Sequence, residues 1–267
     1  MWTGVLLGRA GVLSAENLPI IWLIFEVNLI SFIPLISSKW RTKKTIILYF
    51  VVQRIGSLMI LRGGVISDEV SSLSKWIPLG VLLKSRLAPL HFWGAVLVNK
   101  LRALVALVFL SWQKIAPIFL LFYRTSKNIL IIIVAINILS SVSARGTKDL
   151  RVLLFFSGLL HMRWIITAPI VVSSLYFFIY IITLLPLFTS RKNLPLLLLN
   201  QAGIPPLTGF FIKLRILQTI NFRAGCLLIL SSAPLLYSYL RNFLMSAISD
   251  GPIKARTVVV CSIGLIL

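Results

Sequence analysis

Acidic residues are scarce in this sequence. Six Asp and Glu stand against 27 Lys and Arg in 267 residues, a formal charge of +21. In a soluble chain that excess would point to nucleic acid. Here the basic residues punctuate the ends of apolar runs instead of forming a solvated face. That placement suits topology signals and anionic lipid head groups, and excludes a nucleic-acid partner. Cysteine is nearly absent: Cys226 and Cys261 lie in apolar segments without metal-ligand spacing, which excludes a disulfide framework, a zinc site and an iron–sulfur motif. No phosphate loop, dinucleotide fingerprint or hydrolytic triad occurs, so no redox or hydrolytic chemistry is expected of this chain. The amino terminus, MWTGVLLGRAGVL, has neither a secretory nor an Arg/Ser-rich transit pattern. This fits an expectation that the protein is made in the compartment whose membrane it enters.

Long polar stretches are missing too, and apolar runs take their place. The chain is 58% hydrophobic with a mean hydropathy of +0.99. Runs of about 18 or more apolar residues predict membrane-spanning helices, each satisfying its own backbone. A spanning barrel would alternate apolar and polar residues, and this sequence does not. The expected fold is an all-α membrane protein of about eleven transmembrane helices in one membrane domain, residues 1–267. The expected spans begin near residues 2, 17, 45, 76, 101, 128, 150, 171, 194, 223 and 254. Basic loops at Lys39–Lys44, Lys100/Arg102, Arg145/Lys148/Arg151, Arg191/Lys192 and Lys254/Arg256 outweigh those on the opposite side. The positive-inside rule then places the amino terminus inside.

Two expected spans are broken by proline, at 76–98 (LAPLHFW) and at 194–217 (IPPLTGF). Pro117 interrupts the span that begins near 101. Corresponding interruptions in two halves predict antiporter-like inverted repeats with a site near the midplane.

Ionisable residues fall inside these spans. Glu26 sits mid-span in IIWLIFEVNLISFIPL, where a charge costs about 2.5–3.5 kcal/mol on insertion scales. It needs a partner, and Lys84 is the nearest lysine in sequence that also falls within a span. Lys114 lies too deep to snorkel, with Gln113 beside it able to hydrogen-bond to water. Lys213 follows the second break. His91 and His161 are the only histidines, and a histidine needs little tuning to relay protons. Static helix-to-helix contacts remain the alternative for each. Arg86, Arg163 and Arg215 are expected to contact head groups.

Five motifs carry a resemblance. FEVNLISFIPL (Phe25–Leu35), LKSRLAPLHFW (Leu83–Trp93), SWQKIAP (Ser111–Pro117), HMRW (His161–Trp164) and GIPPLTGFFIK (Gly203–Lys213) occur in the order found in one family. The chain resembles mitochondrial NADH–ubiquinone oxidoreductase chain 2, an antiporter-like membrane subunit family of respiratory complex I. The resemblance implies that Glu26 is the family's membrane glutamate, Lys84 its paired lysine and Lys114 the central lysine. It makes Lys213 the exit-side lysine and His161 the histidine of the family's HMGW-like motif. It also implies the mitochondrial inner membrane, with the basic loops facing the matrix. Partners would be other complex I subunits, above all neighbouring antiporter-like ones, and lipids including cardiolipin. No cofactor would bind this chain; NADH, FMN, iron–sulfur clusters and ubiquinone would sit elsewhere in the complex.

Two departures stand out. GAVLV (Gly94–Val98) replaces the family's usual Pro-Glu-Val segment, and Arg163 replaces the glycine of HMGW. The resulting expectation is proton translocation through Glu26, Lys84, Lys114, Lys213 and the two histidines. A cation/proton antiporter of the Mrp type, or a structural subunit with frozen ion pairs, stays open.

Overall fold

The computed structural model describes residues 2–15, 17–37, 43–66, 76–124, 143–147, 149–189, 194–205 and 207–250. No strand occurs among them, and six of their helices are long and apolar enough to cross a membrane. The protein is a multi-pass, all-helical membrane protein. The expected span at 128–143 with Asn137, the last span from 254, and most of the loops at 39–44, 67–75 and 191–192 lie outside the described residues.

The chain divides into two compact units, Met1–Asn137 and Ile138–Leu267. In the first unit, α1 (Trp2–Ser14), α2 (Leu18–Ile36) and α3 (Lys43–Ile66) are followed by α4 (Trp76–Ser85) and α5 (Phe92–Lys100). Then come α6 (Ala103–Leu110), a 3-10 turn at Trp112–Lys114, and α7 (Ile115–Arg124). In the second, a 3-10 turn (Ala144–Gly146) precedes α8 (Leu150–Thr167), α9 (Ile170–Thr189), α10 (Leu194–Ala202), α11 (Thr208–Thr219) and α12 (Phe222–Asp250).

The expected break at 76–98 is present: α4 stops at Ser85 and α5 restarts at Phe92. Pro89 has no N–H and pushes Ala88 out of the helical region, so the chain cannot continue the α4 ladder. Arg86 takes φ 61°, a left-handed backbone that a non-glycine residue holds only when surrounding contacts fix it. Those contacts are local. Arg86 Nη1 donates to the carbonyl of Phe109 at 2.7 Å, and its guanidinium stacks 3.7 Å from the Phe109 ring centroid.

Phe109 belongs to an aromatic cluster with Phe32 of α2, Tyr49 of α3 and Trp93 of α5, with centroids 5.3–6.4 Å apart. Four helices meet there, with the Phe32–Phe109 pair stacked and the others tilted or edge-on. Head-group contact is therefore not the role of Arg86, which is 1% exposed. Its charge is held by a carbonyl and a ring face inside the unit.

The interruption near Pro117 lies one turn earlier than the proline itself. Pro117 has no N–H for the carbonyl of Gln113, and the preceding residues tighten into the 3-10 turn. Lys114 N donates to Ser111 O at 3.0 Å, an i→i−3 bond. In the second unit α8 ends at Thr167 because Ala168 precedes Pro169, and α9 begins directly after it.

Close approach of α3 and α4 depends on glycine. A Cβ on Gly80 would sit 2.6 Å from the Gly56 carbonyl oxygen and 2.9 Å from Ile60 Cγ1. Small residues at such crossings let helix backbones meet where lipid gives no hydrophobic drive. Gly80→Val is expected to destabilise the first unit by about 1–3 kcal/mol through overpacking. A lower thermal unfolding midpoint in detergent is the check, with Leu79→Val on the exposed face of α4 as the neutral control.

Candidate functional site

Buried charge in the first unit gathers around α2. Glu26 is 7% exposed, and its carboxylate accepts from the Arg54 guanidinium and from the Ser57 hydroxyl, both on α3. The sequence reading named Lys84 as the partner; the ion pair is with Arg54. The physical reason is helical register: Arg54 and Ser57 are three residues apart, so Ser57 lies on the buried side of α3 and Arg54 beside it on an exposed stripe, both within reach of Glu26. Lys84 is buried in the last turn of α4, where the helix dipole favours a cation. Its ammonium lies 4.3 Å from the ring centroid of Phe25, the residue before Glu26.

Lys114 is 0% exposed and closes the 3-10 turn between α6 and α7. Its neighbour Gln113, expected to bond water, instead pairs with Asn28 of α2. Asn28 Nδ2 donates to Gln113 Oε1 at 3.1 Å, and Gln113 Nε2 donates back at 3.5 Å. Asn28 lies two residues beyond Glu26, so one helix fixes both the carboxylate and the turn bearing Lys114. Trp112 Nε1 donates to Val5 O of α1 at 3.2 Å, pinning the other side of that turn. His91 is buried, ends the break before α5, and stacks with Phe92 at 4.3 Å between centroids.

The second unit brings His161 and Lys213 together. The break between α10 and α11 is built by Gly203, whose φ of +79° no side-chain-bearing residue adopts easily. Its N–H bonds back to Leu199 O and Asn200 O at 3.1 Å each, closing the end of α10 as a left-handed cap does. The Lys213 ammonium donates to the carbonyls of Gln201 at 3.1 Å and Ala202 at 2.7 Å. Those are the last carbonyls of α10, left without intrahelical donors by the break and carrying the negative end of its dipole. A Cβ on Gly203 would lie 2.8 Å from Lys213 Nζ, so the same glycine that turns the chain admits the lysine.

Asn200 completes the break from the other side. Its Oδ1 accepts from the Gly209 N–H at 2.9 Å and the Thr208 hydroxyl at 3.1 Å, capping α11.

His161 on α8 pairs through Nδ1 with the Tyr176 hydroxyl of α9 at 2.6 Å, and its ring lies 4.9 Å from that of Tyr180. Gln201 Nε2 donates to Thr183 Oγ1 at 2.6 Å. These groups line a cavity of about 20 Å³ together with Asn200 and Lys213. That volume holds one water, which needs two to four polar partners, and the lining supplies them. Its lining brings an imidazole, two phenols and an ammonium to one space. Such groups exchange protons along hydrogen bonds.

Arg163, two residues along α8 from His161, is fully buried and its Nε, Nη1 and Nη2 have no partner among the described residues. The head-group role expected of it does not hold. Arg215, by contrast, is exposed in an open groove with Val171, Leu175 and Phe178. The sequence reading missed Arg54, Ser57, Asn28, Tyr176, Thr183, Gln201 and Asn200. Only Arg54 gave a signal, as an unaccompanied charge midway along the third expected span.

No family model matches the chain. Curated proteins named "NADH-ubiquinone oxidoreductase chain 2" do. That of Myxine glutinosa is 29% identical, with 93% of this chain and 85% of the relative covered. That of Sylvisorex lunaris is 27% identical over 84% and 77%. The chain is similar to NADH–ubiquinone oxidoreductase chain 2 over most of its length. The motif-based resemblance thus extends along most of the chain.

Among solved structures, respiratory complex I from Thermus thermophilus with bound aureothin contains a chain that superposes with a TM-score of 0.80 at 19% identity. It covers 98% of this chain and 74% of its own. The Mrp complex from Dietzia sp. gives 0.76 at 18% identity, covering 87% and 57%. The fold is shared with a chain of each of these two assemblies.

Asn200→Ala removes the α11 cap and is expected to cost about 1 kcal/mol. Tyr176→Phe takes the partner from a buried imidazole nitrogen, expected to cost about 1–3 kcal/mol. Denaturant midpoints of the purified chain in detergent, against Ser174→Ala on the exposed side of α9, measure both.

Proposed function

We propose that this chain is a proton-translocating membrane subunit of respiratory complex I, in the mitochondrial inner membrane with its amino terminus on the matrix side. The observation that carries the proton-transfer part is the water-sized cavity shared by His161 and Lys213, with the ammonium seated on the open end of a broken helix. Membership of the complex is supported by the chain 2 relatives, which match 84–93% of this chain. The Mrp reading rests on the shared fold alone.

In this mechanism quinone reduction in other subunits, which also hold NADH, FMN, the iron–sulfur clusters and ubiquinone, changes the charge pattern at the edge of the chain. Glu26 exchanges between Arg54, Ser57 and the neighbouring lysine Lys84. The altered field changes which of Lys84 and Lys114 holds a proton, and a proton passes on to Lys213 for release. His161 and its Tyr176 partner hold the proton between steps in the second unit, and His91 serves the break between α4 and α5. The redox chemistry belongs to the whole complex; this chain supplies proton conduction. About eleven spans in two inverted repeats accord with a broken helix in each unit, at LAPLHFW and at IPPLTGF. One membrane domain over residues 1–267 and contact with cardiolipin at the basic loops complete the proposal.

Native mass spectrometry of the gently extracted complex tests the assignment. Flavin and iron–sulfur subunits are expected in the same assembly; antiporter-like chains alone would support the Mrp reading instead. Lys114→Met is expected to lower the proton-to-electron ratio of the assembled complex while NADH oxidation and subunit content persist. An unchanged ratio would count against Lys114 as a proton carrier.

A further inference from the structure

Among the described side chains of the first unit, Arg54 is the one ionisable group that is both mid-span and well exposed. Its side chain is 45% accessible while Glu26, its ion-pair partner, is 9% accessible. Nη1 holds the carboxylate; Nε and Nη2 have no partner among the described residues. Arg54 stands midway along the 22-residue apolar stretch Lys43–Gly64. At 1.5 Å per residue it is roughly 15 Å from either end, farther than an arginine side chain reaches. Lipid phosphates are therefore out of range, and acyl chains offer no acceptor.

The surface around it is built at helical spacing. Ile47, Phe50, Val51, Arg54, Ile55 and Leu58 form one exposed stripe along α3. All but Arg54 are apolar, which suits either lipid or another helix. The guanidinium decides between them, because a cation facing hydrocarbon at the bilayer centre is strongly disfavoured and in-membrane charges face protein or a wet cavity. Backbone carbonyls of a regular partner helix are already taken by its own ladder, so the acceptor must be a side chain. Charge balance identifies it. Away from the span ends, the described helices of this unit carry Arg9, Arg54, Lys84 and Lys114, with Arg86 in the break after α4, against Glu26 alone.

We propose that the α3 stripe centred on Arg54 is covered by a membrane helix of a different subunit, which presents a carboxylate to Arg54 at mid-membrane depth. Arg54 then stands between two carboxylates, Glu26 inside the chain and the partner's outside it. A shift of the guanidinium toward one loosens the other, which gives a neighbouring subunit a direct hold on the Glu26 pair. The proposal rests on the reading of this chain as a subunit of a larger membrane complex.

Phe50→Cys and Leu58→Cys, each in the assembled complex in native membranes, test it with a lipid-soluble maleimide carrying a short photoreactive group. Adducts at Cys226 and Cys261 are separated by peptide sequence. The expected result is a cross-link from both positions to one span of another subunit that bears Asp or Glu level with Arg54. The cross-link is lost in an Arg54→Gln background and kept with Arg54→Lys. Adducts to lipid only, to a span without an acid, or to a second copy of this chain would overturn the proposal. A cross-link to an acid-bearing span in a complex lacking flavin and iron–sulfur subunits would leave the interface standing and remove the complex I assignment.

Discussion

A cation in a membrane needs oxygen atoms, and a helix has free ones only where it breaks. Each of the three in-span lysines, Lys84 and Lys114 buried and Lys213 partly so, stands at an interruption. Lys84 is in the last turn of α4, Lys114 closes the 3-10 turn between α6 and α7, and Lys213 rests on the carbonyls that end α10. An unbroken helix uses its carbonyls in its own ladder and leaves none for an ammonium group. The prolines and Gly203 that punctuate the spans are thus part of the charge chemistry.

The same breaks would destroy a soluble helix bundle unless something else held the pieces. In the first unit the aromatic cluster of Phe32, Tyr49, Trp93 and Phe109 does this, and Arg86 locks onto it by ring face and carbonyl. In the second, Asn200 caps α11 from the end of α10, so the two half-helices hold one another across the gap. Both solutions give polar groups at the breaks fixed protein partners, and a water-sized space lined by His161 and Lys213 lies beside the second break.

Glu26 shows how partner choice limits mechanism. Pairing with an arginine differs from pairing with a lysine, because a guanidinium keeps its charge through any physiological pH and cannot itself carry the proton. Arg54 therefore acts as a fixed counter-charge, and the Ser57 hydroxyl donates a second hydrogen bond to the same carboxylate.

The sequence by itself determined the helical, membrane-spanning character, the two proline breaks and the six charged or imidazole positions. Hydrophobic run length and proline stereochemistry act locally, so they are legible without neighbours. It also carried the family resemblance, through short motifs that keep their order. Partners were a different matter. That Glu26 meets Arg54, that Gln113 meets Asn28, that His161 meets Tyr176 and that Lys213 bends back to Gln201 and Ala202 were decided by tertiary structure alone. Arg86 and Arg163 were placed at head groups because a break or a span end was nearby, yet helix packing closes over both. The reason is common to all of these. Sequence spacing fixes which face of a helix a residue occupies, whereas which face of which other helix lies opposite depends on crossing geometry set by glycines such as Gly56 and Gly80 and by the aromatic cluster, far away along the chain.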